Sequence, residues 1–143
     1  MIELQNIATQ VPAANWEEAL QAAGQLLVNA GSCTEAYVSA TIDAVKELGP
    51  YIVLAPHVAL GHSRPSPEVL RSDIALAIPQ TPVNFGVGDK DPVKLVFSFC
   101  ATDNDSHLEL LGKLADILGS PEQIEALAQA QTPQEVLNLI KES

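Results

Sequence analysis

The chain has 143 residues, 47% of them hydrophobic, enough for a core of ordinary domain size and far from a disordered composition. Eighteen acidic residues against seven basic ones give a net charge of −11, which argues against nucleic acid and anionic membrane surfaces as partners. No apolar run approaches the roughly 18–20 residues needed to span a bilayer, and MIELQNIATQ lacks a cationic, apolar leader pattern. A single cytoplasmic domain over 1–143 is expected, with the widely separated Cys33 and Cys100 as free thiols.

Residues 2–11 (IELQNIATQV) read as a first strand ended by Pro12. The capping-box pattern 15-NWEE-18 opens a helix with Trp16, Ala19, Leu20, Ala23, Leu26 and Leu27 at helical spacing, closed by Gly31. A second helix is predicted over about 34–48, with Val38, Thr41, Ile42, Val45 and Leu48 on one face and Gly49-Pro50 as its stop. The pattern then changes. YIVLA (51–55), DIALAIP (73–79) and VKLVFSFCA (93–101) are short, apolar and rich in branched or aromatic residues, as buried strands are. VALGHS (58–63) reads as a further short strand or a turn leading from one. From residue 104 the chain is helical. DSHLELLGKLADIL (105–118) has Leu108, Leu111, Ala115 and Leu118 in register, Ser120-Pro121 starts a second helix and Thr132-Pro133 a third. The expected fold is α/β, a mixed sheet of about five strands with helices on both faces.

The segment 54-LAPHVALGHSRP-65 holds His57 and His62, and the third histidine, His107, stands near the start of the 105–118 helix. His-x4-His with remote cysteines fits no usual zinc spacing, and no GxSxG marks a serine nucleophile. A Cys–His pairing through Cys33 or Cys100 stays open, although both thiols sit in contexts that read as buried. A neutral imidazole is nucleophilic, and its usual pKa near 6.5 leaves it largely neutral at cytoplasmic pH. Phosphoryl transfer to such a nitrogen needs donors for the phosphate oxygens and good positioning. His62 at a strand end, Arg64 two residues on and His107 at a helix start would supply them. With Asn104 or Asp105 as cap, the free N–H groups of that helix would also favour an anion. The competing reading of Arg64 is a surface ion pair with Glu68 or Asp73. For His107 it is an inconsequential first-turn residue.

The stretch 49-GPYIVLAPHVALGHSRP-65 resembles the active-site motif of the enzyme IIA components of the sugar phosphotransferase system, mannitol/fructose family. It is most similar to the ascorbate-type branch, whose members read approximately GPY-V-AP-G-AMPHARP. The likeness continues through 82-PVNFG-86, 91-DPVKLVFSFCATDNDSHLELLGKLADIL-118 and the helical tail. The resemblance implies a phosphocarrier whose His62 takes phosphate from the phosphocarrier protein HPr and passes it to a IIB component, assisted by Arg64 and His107. It implies no cofactor and no metal. A membrane IIC component would be met only through IIB, and a homodimer is possible. The sugar is never touched in this scheme, so ascorbate, pentitol or fructose is a branch-level expectation. The alternative is a IIA-like regulatory protein that uses phosphorylation only as a signal.

Two positions depart from the pattern. Gly61 stands where a proline usually precedes the phosphorylated histidine, and His57 stands where the ascorbate branch has glycine. Positions 57 and 62 face opposite sides of an alternating strand unless Gly61 breaks the alternation. His57 is therefore either an extra donor beside the phosphate or a spectator at the strand edge, and a motif that works with glycine there favours the spectator. The partner face should be an apolar patch around His62 with Asp103, Asp105 and Glu109 at its rim.

Overall fold

The computed structural model describes residues 2–142. Four strands, β1 (Ile7–Val11), β2 (Val58–Gly61), β3 (Asp73–Pro79) and β4 (Leu95–Cys100), form one sheet in the order β1-β3-β4-β2. β1 runs parallel to β3 and β2 parallel to β4, while β3 and β4 are antiparallel. Five helices cover it: α1 (Trp16–Asn29), α2 (Glu35–Leu48), α3 (Asn104–Leu118), α4 (Pro121–Ala128) and α5 (Pro133–Glu142). None of the described helices is long and apolar enough to cross a membrane.

The period of two along each strand divides the core by side-chain size. Val58, Leu60, Ile74, Leu76, Ile78, Leu95, Phe97 and Phe99 pack with the apolar faces of α3, α4 and α5. The opposite face carries Ala59, Ala75, Ala77, Val96 and Cys100 toward α1 and α2. Small residues let α1 lie close to the sheet. A β-carbon built on Gly61 would stand 2.4 Å from Leu20 Cδ1. Helices thus lie on both faces, as the sequence predicts.

The sheet has four strands rather than about five, because 51–55 is not a strand. Gly49, at φ +87°, and Pro50 start a turn instead, and only an isolated bridge joins Ala55 to Val58. Ile52 and Val53 are buried all the same, with the Leu60 N–H bonded to Ile52 O at 2.9 Å. The first strand is also shorter than 2–11, since a 3-10 turn occupies Leu4–Asn6.

The helix starts follow local chemistry. Asn15 accepts the Glu18 N–H at 3.0 Å and Ser120 that of Gln123 at 3.2 Å. Two helix faces differ from the periodic reading. In α2 the buried residues are Tyr37, Val38, Thr41 and Val45, while Leu48 is exposed. In α3 they are Leu110, Leu114 and Ile117, and Leu108 points to solvent. Leucines occur around much of α3, so spacing alone admits two stripes, and the sheet selects one.

Candidate functional site

Strand register places His62. Gly61 pairs with Ser98, so the next residues, His62 and Phe99, stand level at the sheet's end. Val58 and Leu60 face the large-residue core, and His62 continues that series. Gly61 therefore does not break the alternation. The His62 imidazole lies over Phe99 with centroids 4.8 Å apart and planes 15° from parallel. Its Nδ1 is 2.7 Å from Leu60 O. A carbonyl only accepts, so Nδ1 carries the proton and Nε2 keeps its lone pair. Burial pushes the His62 pKa below its ordinary value, against the pull of the Leu60 carbonyl, and the adjacent His107 lowers it further. A neutral ring with Nε2 free is the nucleophilic form.

His107 arrives from the other side of the same strand pair. β2 and β4 are parallel and leave the sheet in one direction, and the β4 end turns directly into α3. His107 begins the stripe that continues as Leu110, Leu114 and Ile117, which turns its ring inward. That ring meets His62 edge-on at 5.4 Å and Phe99 at 5.1 Å. The cap of α3 is Asp103 rather than Asn104 or Asp105. Asp103 Oδ1 accepts the Ser106 N–H at 2.7 Å, a bond that holds its carboxyl below its usual value. The helix start thus supplies its own anion, the Asp103 carboxylate on the Ser106 N–H.

His62, His107 and Arg64 line one cleft of about 1200 Å³. The partners suggested for Arg64 are engaged elsewhere: Glu68 binds the Thr34 hydroxyl, and Asp73 accepts from Asn6 and Ser32 and pairs with Arg71 at 3.8 Å. Among the described residues Arg64 has no ion pair, and it is exposed at the cleft. Leu48 (70% exposed), Leu108 (68%) and Tyr51 (39%) give the cleft an apolar surround with Asp103 among them. Asp105 is exposed in the first turn of α3, and Glu109 pairs with Lys113 at 3.7 Å.

Three aromatic residues enter the site without having been singled out in the sequence. Phe99 is the platform under His62. Tyr51, within the GPY stretch, meets His62 edge-on at 6.1 Å with its hydroxyl 3.5 Å from His62 O. Tyr37 is buried in α2, and its hydroxyl touches the backbone of Ser63 and Phe99. Tyr51 had a signal in the motif, whereas Tyr37 looked like any apolar helix position.

His57 lies at the other end of β2. Its φ is +71°, its Nδ1 donates to Pro92 O at 2.8 Å, and it does not line the cleft. A left-handed φ is the region that glycine adopts most readily. Cys33 and Cys100 are buried together with Tyr37 and Val69, and neither lines the cleft. Among the described residues no three His, Cys, Asp or Glu side chains are grouped to hold a metal ion.

The family model described as "Phosphoenolpyruvate-dependent sugar phosphotransferase system, EIIA 2" matches residues 1–143. The chain belongs to this EIIA family. It is thereby a IIA phosphocarrier component of a sugar phosphotransferase system. The ascorbate-specific EIIA component of Shigella boydii is 34% identical over 141 residues, covering 98% of this IIA chain and 92% of the relative. The crystal structure of the mannitol IIA protein from Escherichia coli superposes with a TM-score of 0.85 at 30% identity, covering 98% of this chain and 99% of that one. The mannitol IIA from the same organism in complex with phosphorylated mannitol IIB matches with a TM-score of 0.86 at 28% identity, covering 100% and 99% of the two chains.

Proposed function

We propose that this IIA chain accepts a phosphoryl group from HPr on Nε2 of His62 and passes it to a IIB partner in the cytoplasm. The observation that carries the proposal is the 2.7 Å bond from Nδ1 to Leu60 O, which fixes the tautomer and leaves the Nε2 lone pair free on a residue that lines the cleft. In the forward step the lone pair forms a P–N bond while the donor's own P–N bond breaks. The positive charge that develops on the ring is met by Leu60 O. The phosphoryl oxygens are met by Arg64, a planar multidentate donor, and by His107. The onward step reverses these roles toward IIB. A IIB partner is supported by the complex of the similar mannitol proteins, and the ascorbate-specific relatives make ascorbate or a related sugar the leading candidate for the system served. The whole chain 1–143 acts as one such unit.

The test is incubation with enzyme I, HPr and labelled phosphoenolpyruvate, followed by a cognate IIB. Wild type takes up acid-labile label and loses it to IIB, and His62→Ala takes up none. Arg64→Ala and His107→Ala are each slowed roughly 10–1000-fold, the range for losing one charge-stabilising donor. Full labelling of His62→Ala rules the assignment out. Label that IIB never removes identifies a regulatory protein instead.

A further inference from the structure

Residues 62–67 follow β2 with no regular secondary structure, yet this stretch carries both the imidazole and Arg64. Beyond the last ladder pair, Gly61 with Ser98, a stretch of this kind would be free to swing unless something held it. Tyr37 is placed to hold it. Its ring is 3% exposed, packed from α2 against Leu27, Cys33, Val69 and Cys100. Its hydroxyl oxygen accepts the Ser63 N–H at 2.9 Å. Its single proton faces two carbonyls, Ser63 O at 3.1 Å and Phe99 O at 3.0 Å. One buried oxygen thus ties the residue after His62 to the residue beneath the His62 ring.

We infer that Tyr37 is a positioning residue for phosphoryl transfer, its hydroxyl fastening Ser63 to the end of β4 so that the His62 imidazole stays over Phe99 and Arg64 stays at the cleft. The inference rests on the carrier role proposed for His62. Tyr37 touches neither imidazole nor any place a phosphate could occupy, since it does not line the cleft. Its effect is exerted through the backbone. Burial raises the phenol pKa well beyond its ordinary value, ahead of the opposing pull of the Ser63 backbone, so the clamp does not titrate in the working range of the histidine. Tyr51 cannot replace it, being exposed and only 3.5 Å from His62 O at its nearest.

The experiment compares wild type, Tyr37→Phe and Val136→Ala. The last is a cavity variant in α5, away from the cleft, that serves as a control for lost stability. Initial rates of labelling from phosphorylated HPr are measured against HPr concentration, and the His62 Nδ1–H resonance is followed in the unphosphorylated protein. Tyr37→Phe is expected to lower the maximal labelling rate about 10–100-fold, as displacement of a reacting group by an ångström does, with the half-saturating HPr concentration unchanged. Its His62 Nδ1–H signal should broaden or vanish through exchange with solvent. Val136→Ala should leave rate and signal as in wild type. Wild-type labelling by Tyr37→Phe, or equal slowing in Val136→Ala, overturns the inference. Should wild type itself take no label, the carrier reading fails separately. The resonance then decides the structural half alone: its loss in Tyr37→Phe shows that Tyr37 holds the His62 imidazole, and its persistence overturns that too.

Discussion

The imidazole of His62 stacks on Phe99 at 4.8 Å because Gly61 and Ser98 are register partners, so the residues that follow them stand side by side. The platform both desolvates the histidine and limits its rotation. Phe99→Leu keeps an apolar side chain and removes the stack, and it should lower the unfolding free energy measured by denaturant by about 1–2 kcal/mol. Labelling from phosphorylated HPr should slow roughly tenfold, because the ring gains freedom. An unchanged rate would show that the Leu60 bond alone suffices to orient the imidazole.

The downward shift of His62 sets a pH dependence. Its pKa in the folded protein lies below the ordinary 6.5, chiefly through burial. Between those two values the unfolded chain binds more protons than the folded one, so stability rises with pH there. The contribution is fully present above about 6.5 and is lost as pH falls below it toward the folded value. Phosphoryl acceptance should likewise be flat above that point, with an acid limb whose midpoint lies below it. His107→Ala should move the midpoint upward, because it removes a lowering neighbour and admits water. Titration of the His62 Cε1–H resonance reads both values, and a downward movement in His107→Ala would contradict the geometry.

Gly61 and Leu20 form a matched pair. A β-carbon at position 61 would lie 2.4 Å from Leu20 Cδ1 and 3.4 Å from Phe97 O. Gly61→Ala should therefore cost about 1–3 kcal/mol by overpacking. Leu20→Ala should cost about 2–5 kcal/mol by leaving a cavity. The double variant should cost less than the sum by at least about 0.5 kcal/mol, the coupling expected of residues in contact. Additive values from urea unfolding would mean that α1 shifts to relieve the contact.

His57→Gly tests the spectator reading directly. The substitution relieves a left-handed φ worth about 1–2 kcal/mol and gives up the Nδ1 bond to Pro92 O, worth about 0.5–1.5 kcal/mol. Stability should change little, and labelling should proceed at the wild-type rate. Loss of labelling in His57→Gly together with its retention in His62→Ala would move the acceptor to position 57.

Helix starts were legible because their chemistry is local. Asn15 and Ser120 open their helices, and Gly49 closes α2, through groups within four residues of themselves, and a sequence displays such neighbours directly. The 51–55 run has the composition of a strand without being one, because burial and strand pairing are separate matters. Ile52 and Val53 are as apolar as any strand residue, but no ladder extends to them. The convergence of His62, Arg64 and His107 could be read from the motif, while composition and spacing offered only a nucleophile and some donors. Tyr37 could not be read at all. A buried tyrosine at a helical position gives no sign in sequence that its hydroxyl reaches a loop 26 residues away.

Strand direction has an engineering consequence. β2 and β4 run the same way, so the segments bearing the two histidines emerge on one side, and neighbouring strands stand about 4.8 Å apart. The ends of the two strands that lead to His62 and His107 are thus held at a fixed spacing by the sheet. The connection from β3 to β4 lies at the far end, beside His57, whose N–H meets Lys90 O at 2.8 Å. A fluorophore, an affinity tag or a fused IIB domain on a long tether can be grafted into that connection while the end that carries His62 keeps its dimensions.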